Sequence, residues 1–263
     1  MDRRKFLATM GGAAAALVLT DGVFAPDAWA QAKTFSGADL NGWRTVLGDG
    51  VYTGPGQAAP TLEDLRTTNH GTHSTLEANI HERGVMAHNI TFERFTDDDG
   101  MSRRHRATAQ FRIPTVPSAS DWTYNSQTLE IGIFVWDGAD TRADYGLAIQ
   151  WVLNPWIEEF GQIRAWTQTE NGPEWQAVDY LEPDTNWHTF DAIYQPGGKV
   201  GVRLDQKTRI DIDETITPKD PSWGNTVDAR FQMEVVSVWP GVNPSVPTHA
   251  AEFRDWKWRI MAA

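Results

Sequence analysis

There is no cysteine among the 263 residues of the chain, which excludes disulfides and leaves stability to an apolar core or a bound ion. Long apolar runs are missing too. The run at residues 10–20, rich in Gly and Ala, is about half the ~20 residues a bilayer-spanning helix needs, so no stable membrane anchor is expected. Basic residues are few: 23 Lys and Arg stand against 35 Asp and Glu, for a net charge of −12. That sign disfavours nucleic acid and anionic lipid as partners, and mildly disfavours a polyanionic substrate unless a local basic groove overrides the mean. Helical periodicity, internal repeats and low-complexity tracts are absent, as are a nucleotide-binding loop, a nucleophilic serine elbow and a haem motif.

The N-terminus reads Met1-Asp2-Arg3-Arg4-Lys5-Phe6-Leu7-Ala8. Its arginine pair followed by Phe-Leu resembles the twin-arginine export motif, with Asp2 and Ala8 departing from it. The short apolar run follows, and Ala28-Trp29-Ala30 then offers a small-x-small cleavage site before Gln31. Residues 1–30 are therefore expected to be a twin-arginine-type signal peptide. Residues 31–263 are expected to form one domain, exported to the periplasm or secreted from a bacterium, and monomeric. The leader carries three basic residues (Arg3, Arg4, Lys5) and three acidic ones (Asp2, Asp21, Asp27), so its removal leaves the charge at −12. The remaining ~230 residues suffice for one large β domain.

What the chain has in abundance is alternation. Residues 105–114 set Arg106, Thr108, Gln110 and Arg112 against Ala107, Ala109, Phe111 and Ile113. Residues 128–136 set Glu130, Gly132, Phe134 and Trp136 against Leu129, Ile131, Ile133 and Val135. Leu147, Ile149 and Trp151 oppose Ala148, Gln150 and Val152, and Arg164 and Trp166 oppose Ile163 and Ala165. Residues 187–195 and 200–205 flank Pro196-Gly197-Gly198-Lys199, a hairpin signal. Residues 230–239 and 252–260 supply two further strands, while the Gly/Pro-rich stretch 48–60 reads as a loop. Period two on this scale means half-buried antiparallel strands. Roughly eight to ten of them are too many for one flat sheet, so an all-β, two-sheet antiparallel sandwich is the expected fold.

The hairpin carries a resemblance. Trp187-His188-Thr189-Phe190-Asp191-Ala192-Ile193-Tyr194, the Pro-Gly-Gly turn, and Val200-Gly201-Val202-Arg203-Leu204-Asp205 resemble a hairpin of concanavalin A-like lectin and glucanase jelly rolls. Phe253-Arg254-Asp255-Trp256-Lys257-Trp258-Arg259-Ile260 is similar to the terminal strand of the same jelly rolls. The resemblance implies a ligand groove on the concave face of one curved sheet and a saccharide as ligand. The polar sides of the strands then become groove candidates: Arg106, Thr108, Gln110, Glu130, Phe134, Trp136, Gln150, Arg164, Trp166, Gln232 and Glu234. Aromatic rings match the C–H faces of sugars, and Arg, Gln and Glu bind hydroxyls. The alternative places half of these strands in the back sheet, whose outer face is only solvated. Thirteen tryptophans, Trp29 in the leader included, exceed what a core requires; Trp122, Trp136, Trp156, Trp166, Trp175, Trp223 and Trp239 lie outside clean core positions.

Three chemistries stay open. Glucanases of the resembling family carry a ladder of acids on one strand; here Glu130 is present, but Gly132 and Phe134 occupy the later places. Retaining hydrolysis needs a second carboxyl at roughly 5–5.5 Å, which Glu234 supplies only if its strand neighbours that of Glu130. A polysaccharide lyase needs a neutraliser of the sugar carboxylate (Arg106, Gln110, Gln150, Arg164) and a base (His105, Tyr145, His188 or Tyr194). The arginine- and histidine-containing motifs of alginate-lyase jelly rolls are absent. A non-catalytic lectin is the third reading. An enzyme is expected first, with Glu130, Glu234, Tyr145 and His105 as catalytic candidates and Arg106, Gln110, Trp136, Gln150, Arg164 and Trp166 as substrate binders. No cofactor is expected. His70 and His73, with His81 and His88 beyond, make a weak zinc signal. Asp97-Asp98-Asp99-Gly100 resembles a calcium loop but has Thr108 where a bidentate acid belongs, so a structural Ca²⁺ lacks a motif.

Overall fold

The computed structural model describes residues 32–47, 52–53, 56, 58–78, 85–94, 103–120, 128–136, 143–169, 172–195, 199–213, 228–237 and 249–261. The N-terminal segment with Arg3 and Arg4, the Asp97–Gly100 run, His81, Trp122, Trp223 and Trp239 lie outside these residues.

Two antiparallel sheets of eight strands each contain nearly all of the described backbone. Sheet A runs in the order β14 (Thr208–Asp213), β13 (Lys199–Leu204), β12 (His188–Gln195), β7 (Arg104–Arg112), β16 (His249–Met261), β5 (Ser74–Ala78) and β4 (Leu65–Asn69), with β1 (Lys33–Gly37) also on β16. Sheet B runs β11 (Gly172–Tyr180), β10 (Gln162–Thr169), β9 (Ala143–Val152), β8 (Thr128–Trp136), β15 (Asp228–Ser237), β6 (Val85–Arg94) and β2 (Arg44–Leu47), with β3 (Tyr52–Thr53) on β6. Among the described residues the helical element is a 3-10 turn at Leu62–Asp64, and no helix is long and apolar enough to cross a membrane. The stretch expected as a loop at 48–60 contains β3, a two-residue strand.

Alternation drives the packing. Leu129, Ile131 and Ile133 of β8, Ile149 and Trp151 of β9, and Phe231, Met233 and Val235 of β15 point inward from sheet B. They meet Ala107, Ala109 and Phe111 of β7, Phe190 and Ala192 of β12, and Phe253 and Trp258 of β16. This inner layer removes each of the large side chains from water, worth roughly 1.5–3 kcal/mol apiece. Two indole N–H groups inside the layer find acceptors. The Trp151 indole N–H donates to the Leu181 carbonyl at 3.0 Å, and that of Trp258 donates to His105 Nδ1 at 3.2 Å.

The hairpin of the jelly-roll resemblance is β12–β13, with Gln195 opposite Lys199 across the expected turn. Its far end is closed by Asp205, which holds a left-handed backbone (φ 51°). One carboxylate oxygen accepts from the Thr189 amide at 2.9 Å and the other faces His188 Nδ1 at 2.9 Å. His188 Nε2 faces Asp184 at 3.0 Å. Burial opposes ionisation of Asp184, but hydrogen bonds from the Asn186 backbone and side chain and from His188 outweigh it and hold its carboxyl below the usual range. The histidine and aspartate of the motif thus lock the hairpin ends together.

Candidate functional site

The two outer faces differ. On sheet A the outward residues of β7 are half-buried, in strict alternation with buried ones. On sheet B the outward residues are buried as deeply as the core: Glu130 is 6 % exposed, Gln150 7 %, Glu234 3 %, and Gln232 and Arg230 0 %. So many polar side chains on a buried sheet face must satisfy one another or a ligand.

Strand register arranges them in a row. Arg164 on β10 is opposite Gln150 on β9, Gln150 is opposite Glu130 on β8, and Glu130 is opposite Glu234 on β15. The Gln150 amide donates to Glu130 Oε1 at 2.7 Å. The Gln232 amide donates to Glu234 Oε2 at 3.0 Å. Two carboxyls therefore sit directly across a strand pair, where Cβ atoms lie about 4.5–5.5 Å apart, each held by its own glutamine. Gln232 itself pairs with Gly132, which has no side chain to fill the space beside it. Beyond, Phe134 and Ala148, with Val46 and Trp175 packed against them, make an apolar patch on the same sheet.

The row becomes more accessible toward β10 and β11. Arg164 has a quarter of its side chain exposed (25 %). Its Nε donates to Gln162 Oε1 at 2.7 Å, and Glu159 lies 3.7 Å from its NH2. A register irregularity between Ile163 and Arg164 in the β10–β11 ladder falls at this position; such bulges commonly re-aim a side chain. The chain enters β10 through Gly161, whose φ of +88° and contact with the Tyr180 ring, 2.6 Å from where a Cβ would stand, exclude other residues. Trp166 pairs with Trp175, their rings edge to face at 5.3 Å. Among the described residues the buried Trp166 indole nitrogen has no hydrogen-bond partner.

Glu130, Glu234, Gln150, Arg164 and Trp166 thus share one sheet. The rest of the expected set does not join them. Arg106 and Gln110 are on β7, in sheet A, and the full thickness of the core separates sheet A's outer face from the row. Arg106 there holds Asp191 through two bonds, Nε to Oδ1 at 2.9 Å and NH2 to Oδ2 at 2.7 Å. Gln110 accepts from Arg254 Nε at 2.7 Å, helping to hold that guanidinium 4.1 Å over the Trp187 ring, whose centroid also lies 4.6 Å from the Arg112 guanidinium. His105 is 0 % exposed and faces the core. Alternation puts it on the opposite side of β7 from Arg106, which corrects its expected role as an accessible base. His188 and Tyr194 are inward too, and burial pushes the Tyr194 phenol up to about 12. Tyr145 and Trp136 lie on β9 and β8, but their side chains are outside the described residues.

His70 and His73 occupy the β4–β5 turn and stack at 4.5 Å. His70 Nε2 faces the Thr75 hydroxyl at 3.1 Å and His73 Nε2 lies 4.0 Å from Glu252. Among the described residues no group of three His, Cys, Asp or Glu is placed to hold a metal ion.

Contributors the sequence reading missed are Arg230, fully buried opposite Phe134, Trp175, and the pair Gln162 and Glu159 that orients Arg164. Trp175 alone carried a signal, as one of the surplus tryptophans.

No family model matches the chain, and no curated protein matches it in sequence. Solved structures do resemble it. Peanut lectin, solved with a nine-residue peptide, superposes with a TM-score of 0.53 at 8 % identity over 89 % of this chain and 100 % of the lectin. A protein of unknown function from Shewanella oneidensis does so with a TM-score of 0.51 at 8 % identity over 88 % of both chains. An alginate lyase from Pseudomonas aeruginosa gives 0.48 at 15 % identity over 86 % of this chain and all of the enzyme. At such identities the likeness is one of fold: a jelly-roll sandwich.

Proposed function

We propose that this chain is an exported saccharide-cleaving enzyme, a glycoside hydrolase whose two carboxyls are Glu130 and Glu234. The observation that carries the reading is their direct cross-strand pairing on a buried sheet face. Placing two like charges opposite one another in a strand pair is destabilising, and such an arrangement is what two-carboxyl glycoside chemistry uses. Of the bases that elimination would need, His105, His188 and Tyr194 face the core, which leaves Tyr145 as the one candidate for that chemistry.

In this reading the saccharide enters from the β10–β11 side, its ring against Trp166 and its hydroxyls on Arg164 and Gln150. Glu130, on the entry side of the pair, protonates the glycosidic oxygen. A Glu234 oxygen, oriented by Gln232, bonds the anomeric carbon as the bond to the leaving group breaks. Glu130 then takes a proton from water, which displaces Glu234 and restores both groups. Retaining chemistry requires the two carboxyl groups about 5–5.5 Å apart, a separation within reach of side chains on directly opposed strand residues. Export is supported by the Arg3-Arg4-x-Phe6-Leu7 motif and the Ala28-Trp29-Ala30 site.

A panel of neutral and acidic polysaccharides, followed for reducing ends and for absorbance of unsaturated uronate, tests the reading. Reducing ends without the uronate signal are expected. Both signals together mean a lyase, and binding with neither means a lectin; either replaces the hydrolase assignment.

A further inference from the structure

Away from that row, the outer face of sheet A gathers cations. Arg106 on β7 and Arg259 on β16 are register partners, and two residues along, Lys257 is opposite Thr108. These four residues line a cavity of about 140 Å³. Among the described residues its lining includes no carboxylate. Asp191, the cross-strand partner of Thr108 on β12, is taken up by both bonds from Arg106. Among the described residues no acid is ion-paired with Lys257 or Arg259. A local excess of positive charge therefore stands in a chain whose net charge is −12.

Asp191 offsets the charge of Arg106, whereas Arg259 and Lys257 beside it repel one another and the Arg106 guanidinium, and an anion seated among them relieves that repulsion. Three cationic groups and a hydroxyl, half-buried and converging, offer charge-assisted bonds to an oxygen anion. We infer that this cavity is an oxyanion-binding site, with Arg259 and Lys257 as the primary ligands, Thr108 as a hydroxyl donor, and Arg106 held in position by Asp191. Three cationic groups and one hydroxyl around a single cavity suit one sulfate, phosphate or carboxylate group, so the ligand is a free oxyanion or a single anionic substituent projecting from a saccharide. The inference does not depend on the hydrolase reading, since the site lies on the other sheet.

Thermal unfolding and calorimetric titration of the full chain decide it, using sodium sulfate, a sulfated oligosaccharide and an oligogalacturonate against sodium chloride at matched ionic strength. Sulfate is expected to raise the Tm beyond chloride, because a ligand that binds only the folded state stabilises it. The double variant Lys257→Gln/Arg259→Gln is expected to lose that rise and to weaken binding at least tenfold. Without ligand at low salt, Arg259→Gln alone is expected to melt no lower than the parent, because it removes a repulsion. Tighter binding of either oligosaccharide than of sulfate identifies a saccharide-borne group, and equal or weaker binding identifies a free anion. A sulfate effect no larger than that of chloride, or one that survives in the double variant, overturns the inference.

Discussion

His249 on β16 donates its Nε2 proton to the carbonyl of Thr128 on β8 at 2.7 Å, tying one sheet to the other through the core. Burial lowers the pKa of this histidine to about 4, with the bond to Thr128 pulling weakly the other way. The folded protein therefore keeps it neutral where the unfolded chain, titrating near about 6.5, takes up a proton. Stability is complete above that unfolded value and falls with pH across the window down to about 4. The full span amounts to about 3 kcal/mol. His249→Gln, which keeps a donor but cannot titrate, is expected to flatten this part of the slope in denaturant unfolding between mildly alkaline and mildly acid pH. Parallel loss of stability in parent and variant would refute it.

Arg164 is held by Gln162 and Glu159 on the accessible side of the row. Arg164→Ala is expected to weaken saccharide binding by about 1.5–3 kcal/mol, the worth of a charge-assisted contact, with little change in Tm because the side chain is partly solvated. Titration with the substrate found in the polysaccharide panel measures this. Unchanged affinity would remove Arg164 from the binding surface.

Export is a separate expectation. Replacing Arg3 and Arg4 with Lys should leave unprocessed precursor in the cytoplasm, detectable by fractionation and blotting. Normal processing of that variant would mean a general signal peptide instead of a twin-arginine one.

The sandwich was legible because period-two alternation is a local property. Ala107, Ala109 and Phe111 against Arg106, Thr108 and Gln110 already declare which side of β7 is buried. The His188–Asp205 lock was visible only as a motif. Which strands share a sheet is not local, and that is where the candidate site was mixed. Arg106 and Glu130 have the same polar-face pattern, yet β7 and β8 belong to different sheets. The pairing of Glu130 with Glu234 depends on β15 inserting between β8 and β6, and no spacing in the sequence encodes that neighbour. The depth of burial of Arg230 and Gln232 was equally hidden, since alternation marks an outer face without saying whether anything covers it.

The pair itself separates function from structure. If Glu130 and Glu234 only satisfied one another's surroundings, replacing either would be destabilising. If they are kept opposed for chemistry, Glu→Gln relieves an unfavourable juxtaposition of two carboxyls sharing one buried site and leaves the fold as stable or more so.

The most direct test of the central claim measures turnover and melting together for Glu130→Gln and Glu234→Gln on the substrate from the panel. Each variant is expected to lose reducing-end release by about a thousandfold or more, Glu130→Gln through the missing acid–base group and Glu234→Gln through the missing nucleophile, while its Tm stays level or rises and saccharide binding persists. Parent-like turnover in either variant would contradict the two-carboxyl account.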